Sequence, residues 1–185
     1  MKSTVIVLPL CLLFFSCSKT VPPAALDGVN GITAAYKLRA VEQMAHASGS
    51  ALQLVSVGTN AMHIDGTSKS WSFTYVRTSL PVAMYFFTAT FDSVLLDSVS
   101  GRALTGAGVI TQDWISSTVA AELAENNGGR LFRQNNADYS IRANLGQAVV
   151  PSPFIAWYIT YRSDVQPAIY RTFNIGARIT APKEK

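Results

Sequence analysis

Few residues in this chain have the types and spacing that metal binding or acid–base catalysis requires. The two histidines, His46 and His63, each lack a second histidine, a cysteine or a carboxylate at the spacing of metal ligands. Asp65, Asp92 and Asp97 could in principle form a hydrolytic pair, but the first two stand beside a glycine or a serine, where aspartate usually accepts backbone hydrogen bonds in a turn. The sequence therefore predicts no catalytic residues and no metal site, and we expect a protein that is not an enzyme and binds no cofactor.

Aromatic side chains could instead stack against a ligand, and they alternate along two similar stretches. Trp71-Ser72-Phe73-Thr74-Tyr75 recurs as Trp157-Tyr158-Ile159-Thr160-Tyr161, and a proline follows each tryptophan at the same distance. Large side chains at every second position are typical of a strand with one buried face. The candidate residues for a structural core or a ligand face are Trp71, Phe73, Tyr75, Trp157, Ile159 and Tyr161. Alternating aromatics on a strand more often belong to a core than to a binding surface, so the core is the favoured interpretation.

Cys17 is the residue whose position most directly indicates a covalent modification. An apolar run over residues 5–15 follows Lys2, and it is long enough for a signal peptide but too short to cross a bilayer as a helix. Ser16-Cys17 ends this run, as in bacterial lipoprotein signals, whose cysteine receives a diacylglyceryl group and becomes the mature N-terminus. The other cysteine, Cys11, lies in the part that would be removed. We therefore expect lipidation of Cys17, and an ordinary secretory signal cleaved elsewhere is the alternative.

The charge pattern does not indicate nucleic-acid binding. The formal net charge is +4, and it becomes 14 − 11 = +3 without residues 1–16, whose only charged side chain is Lys2. The arginines are scattered along the chain, without the run or helical stripe that a nucleic-acid interface usually shows. Because 49% of the residues are apolar and only 14% are charged, we expect a packed core and no nucleic-acid partner.

The repeated aromatic stretches predict two similar units behind an anchor. The expected parts are a lipoprotein signal peptide over residues 1–16, a tether over 17–31, a first unit over 32–101, a linker over 102–110 and a second unit over 111–181. Each unit is expected to be a helix packed on a small antiparallel β-sheet, which gives an α+β fold.

Local patterns predict the elements of each unit. For the first unit they are a helix over 32–48 and strands over 52–57, 62–64, 71–75, 82–91 and 94–96. For the second unit they are a helix that begins at Trp114 after an N-cap at Thr111-Gln112-Asp113, and strands at Leu131-Phe132, 139–141, 157–162 and 168–175. Asn126-Asn127-Gly128-Gly129 is expected to end the second helix.

Three features occur together in residues 32–181. They are the two aromatic stretches, the run Leu95-Leu96-Asp97-Ser98-Val99-Ser100-Gly101-Arg102, and Trp114-Ile115-Ser116-Ser117 followed by an alanine-rich helix and Gly128-Gly129. Together they resemble the PepSY-like family of exported bacterial proteins in its tandem lipoprotein form. The resemblance implies an α+β unit with a helix on an antiparallel sheet. Some members are inhibitory or folding segments of secreted proteases and others are envelope modules, and no catalytic residue is implied for this chain.

These features predict a lipid-anchored binding or interaction module of the bacterial cell envelope that faces the periplasm or the cell exterior. We expect it to contact a membrane through its N-terminal lipid. Its expected partner is an envelope or secreted protein, such as a protease, bound through an exposed sheet edge or the cleft between the units. The alternative is a small-ligand-binding lipoprotein with a pocket between helix and sheet.

Overall fold

The described part of the chain is dominated by seven β-strands. The computed structural model describes residues 31–79, 81–101, 108–110, 114–148 and 154–176. The strands are β1 (Leu52–Thr59), β2 (Ser70–Arg77), β3 (Ala83–Thr90), β4 (Val94–Ser100), β5 (Tyr139–Ala148), β6 (Phe154–Ser163) and β7 (Tyr170–Gly176). The helices are α1 (Leu38–Ser48), α2 (Ser117–Ala124) and α3 (Arg130–Asn135), and the wide helical turn Glu125–Gly129 joins α2 to α3. None of the helices in these ranges is both long enough and apolar enough to cross a membrane.

All seven strands belong to one antiparallel sheet, in the order β4-β3-β2-β1-β5-β6-β7. The predicted α+β fold of two similar helix-plus-sheet units is therefore wrong, because β1 pairs with β5 and makes the sheet continuous. The physical reason is that β1 would otherwise present a row of unpaired backbone groups in the middle of the molecule. Contacts outside the sheet also join the two halves: the Ala34 N–H donates to Ser117 Oγ at 3.2 Å, and the Met62 N–H donates to the Ile141 carbonyl at 2.9 Å.

The two faces of the sheet differ in chemistry. Residues in register across all seven strands form an apolar row, which consists of Leu96, Phe87, Phe73, Val57, Leu145, Trp157 and Ile175. The adjacent row points to the other face and consists of Leu95, Thr88, Ser72, Gly58, Asn144, Tyr158 and Asn174. Side chains alternate between faces along a strand, so the first row, except for Leu96 at the edge of the sheet, builds the core under the helices on what is called the covered face. The face with the second row is called the open face.

Helix α1 is shorter than predicted because the chain before it is attached to the sheet. Ile32 and Ser68 exchange backbone hydrogen bonds of 2.8 and 2.9 Å. The Ile32 carbonyl also accepts a hydrogen bond from Trp71 Nε1 at 2.7 Å. The chain then turns, and α1 begins at Leu38 with Val41 and Ala45 on its buried side.

The second helical segment corrects two predictions. Asn126-Asn127-Gly128-Gly129 does not end it, because Gly128 adopts φ 119° and the chain then returns to helical geometry in α3. The predicted strand at Leu131-Phe132 is therefore wrong, and Phe132 packs from α3 against Tyr161 with 6.0 Å between the ring centroids. The N-cap of α2 is Ser116, whose Oγ accepts a hydrogen bond from the Val119 N–H.

Several predictions concern residues outside the described ranges. They are the signal peptide over 1–16, all but the last residue of the tether, Cys17, the N-cap at Thr111-Gln112-Asp113 and most of the linker.

The predicted strand at 62–64 is reduced to an isolated bridge between Met62 and Ser68.

Candidate functional site

The six candidate residues of the aromatic stretches lie in the core on the covered face of the sheet. Trp71, Trp157, Ile159 and Tyr161 are fully buried, and Phe73 and Tyr75 are nearly so. The stretches lie on β2 and β6, and β1 and β5 between them complete one sheet, so their rings pack with each other and with the helices on the same face. They do not present a stacking surface to solvent.

Three tryptophans join the halves of this core. Trp157 packs edge-to-face against Trp71, with 5.8 Å between ring centroids, and against Trp114, with 5.7 Å. Its Nε1–H donates to the Ile115 carbonyl at 2.9 Å. The sequence interpretation placed Trp114 only at the start of a helix, because its contacts depend on residues far away in the chain. The centre of the core is therefore shared between the two repeated stretches.

A polar cluster holds the bend between α2 and α3 against β6. Arg133 donates three hydrogen bonds to the Glu125 carboxylate, from Nη2 to Oε2 at 2.6 Å and from Nε to Oε1 at 3.0 Å and to Oε2 at 3.2 Å. The Tyr161 hydroxyl donates to Glu125 Oε1 at 2.7 Å. Burial raises the pKa of the Glu125 carboxyl, but the hydrogen bonds from Arg133 and Tyr161 and the charges of Arg133 and Arg130 outweigh it, so the net pKa is lowered. Burial, and next the hydrogen bond to Glu125, raise the pKa of Tyr161, which keeps its hydroxyl a donor. The cluster stabilises the fold.

The aspartates that the sequence suggested for catalysis, Asp65 and Asp97, lie in different elements of the fold. Asp65 Oδ1 accepts hydrogen bonds from the Thr67 N–H and hydroxyl, as expected for a turn aspartate. Asp65 and His63 line a cavity of about 710 Å³ at the β1–β2 connection. Asp97 lies on the edge strand β4, where it accepts a hydrogen bond from Thr88. These groups do not form a nucleophile–base pair.

The outer strand β4 carries the most apolar edge of the sheet. Leu95, Leu96 and Val99 are 57%, 40% and 53% exposed. Beside them, the exposed rings of Tyr36 and Phe91 stack with 6.1 Å between centroids. These five residues are called the β4 edge surface. In the described part of the chain, no strand pairs with the outer side of β4.

The opposite edge, β7, has a different character. After Tyr170 at its first position, its exposed side chains are Arg171, Thr172 and Asn174. Thr172 also exchanges a hydrogen bond of 2.9 Å with Thr160 of β6. Polar and charged side chains protect an edge against pairing with another chain. β4 also carries the exposed polar residues Asp97 and Ser98, and its pairing with β3 shifts register at Asp97, but it exposes three large apolar side chains beside them.

One feature of the sequence distinguishes the apolar strand β4 from the polar strand β7, and the strand prediction did not use it. Val94-Leu95-Leu96 is a consecutive apolar run, so it places large apolar side chains on both faces of one strand. A strand with one face in the core and one face in water alternates instead. Nothing in the local sequence, however, shows that β4 is at the edge.

Two further findings bear on the kind of site that the described residues contain. They contain no group of three or more histidine, cysteine, aspartate or glutamate side chains that could hold a metal ion. Comparisons with protein-family models, with curated proteins and with solved structures found no match for this chain. The β4 edge surface is the candidate site on which a functional proposal can be based.

Proposed function

We propose that this chain is a cell-envelope binding module, anchored by a lipid on Cys17, that binds an extended segment of an envelope or secreted protein along β4. The signal-like residues 1–16 and the resemblance to PepSY-like proteins support the envelope location. The exposed apolar side chains on the outermost strand, β4, are the observation that supports binding along this strand.

The backbone of β4 determines what kind of partner fits. An edge strand presents N–H and C=O groups at the regular spacing of a β-ladder. Only another extended polypeptide presents donors and acceptors at the same spacing, and strand addition of this kind is a common mode of peptide recognition. The partner segment is therefore an extended stretch of protein.

The side chains of β4 determine the composition of that segment. Leu95 points to the open face, whereas Leu96 and Val99 are in register with core residues of β3 and point to the covered face. Asp97 is the only charged residue of the strand, and Thr88 donates a hydrogen bond to it. A partner segment with apolar residues on both of its faces and little charge complements this surface.

A photo-reactive benzophenone residue in place of Val99 should cross-link in cells to one discrete protein. The same residue in place of Asn174, on the polar edge β7, should not. Adding Leu95→Lys should reduce the Val99 adduct at least tenfold, because a charge on the strand disfavours pairing with an apolar segment. Thr172→Lys is the matched control and should leave the adduct unchanged. Leu95→Lys should alter the free energy of unfolding by no more than about 0.5 kcal/mol, since Leu95 is exposed. Thr172→Lys also removes the hydrogen bond to Thr160 and should cost about 0.5–1.5 kcal/mol.

The identity of the adduct decides between partners. A synthetic peptide of the cross-linked segment should protect the backbone amides of β4, but not those of β7, from hydrogen exchange. An adduct of twice the mass of the chain would show that a second copy pairs with β4. A cross-link to residues 1–30 would show that the chain covers its own edge. Each of these two results, or equal labelling at both edges, would contradict the proposal.

Substitution of Cys17 by alanine should remove the lipid and release the protein from the membrane fraction. An alkyne-labelled fatty acid fed to cells should label the wild type and Cys11→Ala, which keeps the acceptor thiol. It should not label Cys17→Ala. A single acyl chain binds membranes only weakly, so stable retention requires the full diacylglyceryl group. Persistent labelling of Cys17→Ala would show that the anchor is elsewhere.

A further inference from the structure

A second potential site is a cavity of about 410 Å³ on the open face of the sheet. Strands β1, β2, β5 and β6 line it, whereas the described helices pack on the covered face. The volume falls within the usual range for small-molecule sites. The hydroxyl and amide side chains of the lining belong to Ser56, Ser72, Thr74, Asn144, Tyr158 and Thr160.

Gly58 forms the floor of this cavity, because it interrupts a row of side chains on the open face. It pairs with Ser72 on β2 and with Asn144 on β5. Adjacent strands lie about 4.8 Å apart, so the strands that carry Ser72 and Asn144 are about 9–10 Å apart, with no side chain between them. A Cβ atom at position 58 would lie 3.0 Å from the Ala143 carbonyl oxygen and 3.1 Å from Asn144 Oδ1. Any larger side chain at this position would therefore fill the cavity.

The polar groups are concentrated around Gly58 rather than spread over the open face. On the same face, Val76 and Met84 pair across β2 and β3 and are buried in a separate apolar cluster. Around Gly58, by contrast, Ser56 Oγ donates to Asn144 Oδ1 at 2.8 Å. This hydrogen bond orients the exposed Asn144 amide and leaves its Nδ2 group, which carries two donors, for a ligand.

Arg142 is the charged residue of the described lining. It is exposed on β5, and among the residues that the structure describes it forms neither an ion pair nor a side-chain hydrogen bond. It lies two residues before Asn144, so both side chains point to the open face from Cα atoms about 7 Å apart. A guanidinium group binds a carboxylate through two parallel hydrogen bonds. The charge of the cavity therefore complements an anionic group beside hydrogen-bonding neutral ones.

We propose that this cavity binds a sugar ring that carries a carboxylate. The carboxylate contacts Arg142, and the sugar hydroxyls exchange hydrogen bonds with the Asn144 amide and the Ser72 hydroxyl. Tyr158 supplies an apolar ring with a polar tip, which matches a pyranose with its apolar C–H face and polar rim. An apolar molecule fits less well, because the polar groups around Gly58 would lose their hydrogen bonds to water without replacement.

The test is a titration of the detergent-solubilised full-length chain with glucuronate, followed through backbone and Asn144 side-chain amide signals in NMR spectra. Glucose has the same ring with a hydroxymethyl group in place of the carboxylate, and acetate has the carboxylate without the ring. Glucuronate should shift the Gly58 and Asn144 signals in a saturable way and should not shift that of Val165, an exposed residue outside the cavity. Glucose and acetate should each bind at least about fivefold more weakly, because each lacks one of the two recognised groups.

Arg142→Gln should weaken glucuronate binding about tenfold and glucose binding less than about twofold, because the main loss is the contact with the carboxylate. Arg39→Gln, at an exposed position of α1 over the covered face, is the matched control and should change neither. Ser72→Ala should weaken the binding of both sugars about threefold. Val99→Lys, on the β4 edge surface, should leave both unchanged, which separates this site from the proposed partner surface.

Three results would overturn the proposal. Equal binding of acetate and glucuronate would show that Arg142 attracts any small anion and that the sugar ring is not recognised. The lack of a saturable shift at Gly58 and Asn144 would show that the cavity is only part of the hydrated surface of the sheet. The same loss of glucuronate binding in Arg142→Gln and Arg39→Gln would show that the net charge of the chain, rather than this cavity, attracts the ligand.

Discussion

Trp157→Ala should lower the free energy of unfolding by about 3–5 kcal/mol, the usual cost of removing a large buried aromatic side chain. Trp157 is fully buried on β6 and packs against both Trp71 and Trp114. Its strand is hydrogen-bonded to β5 on one side and β7 on the other. The loss should therefore affect the whole sheet rather than one half of it.

Urea denaturation, followed by far-ultraviolet circular dichroism and by tryptophan fluorescence, measures this effect. Both probes should show one coincident transition at a lower midpoint, as expected for a cooperative unit. Val165→Ala, at a position that is 70% exposed, should change the midpoint little. Two separate transitions, with only one of them moved by Trp157→Ala, would show that the halves fold independently despite their shared sheet.

Trp71→Ala should cost a similar amount, and the double variant should cost less than the sum of the two single variants. Edge-to-face aromatic pairs contribute about 0.5–1.5 kcal/mol beyond their buried area, and this coupling is counted twice in the sum. A strictly additive double variant would mean that the contact between Trp71 and Trp157 does not stabilise the fold.

Glu125→Ala should lower the free energy of unfolding by about 2–4 kcal/mol. The substitution leaves the partly exposed Arg133 guanidinium and the buried Tyr161 hydroxyl without their acceptor, and hydrogen bonds to charged groups are among the stronger ones. Tyr161→Phe keeps the ion pair and removes one hydrogen bond, so it should cost less. Chemical denaturation at neutral pH measures both changes.

The same carboxylate should make stability depend on pH. The pKa of Glu125 is lower in the folded chain than its ordinary value of 4.5. Its contribution is therefore fully present above about pH 4.5 and is lost as the pH falls through the lower pKa of the folded state. Glu125→Gln should flatten the stability profile in this range.

Glu122→Gln provides the matched control, because Glu122 is an exposed residue of α2 three positions earlier. It should leave the acid limb of the profile unchanged. If the wild type and Glu125→Gln lose stability in parallel below pH 4.5, the ion pair does not contribute to the acid sensitivity of the fold.

Local patterns located most of the strands. The alternation in Trp71-Ser72-Phe73-Thr74-Tyr75 predicted a strand that the structure confirms as part of β2, and the matching stretch lies in β6. A strand of this kind can be predicted because its period of two is a property of neighbouring residues. The strand assigned to Leu131-Phe132 failed because glycines after a helix indicate a stop, whereas here Gly128 only bends it.

The β4 edge surface could not be predicted from local patterns. Leu96 and Val99 point to the covered face and are still exposed because β4 is the last strand of the sheet, and strand order depends on pairing between distant residues. The cavity on the open face brings Ser56 within hydrogen-bonding distance of Asn144, which lies 88 positions later in the chain. No spacing rule relates such residues, since only the folded chain brings them together.

The sequence by itself determined where large side chains alternate, which strands they form, and that the chain lacks the usual spacings of catalytic and metal-binding residues. It also contains the signal-like segment on which the proposal for Cys17 rests. Only the tertiary structure decided that the two repeated stretches share one sheet and one core. The reason is that backbone groups at the edge of β1 pair with whichever strand is available, and β5 supplies that pairing over Val57 to Thr59.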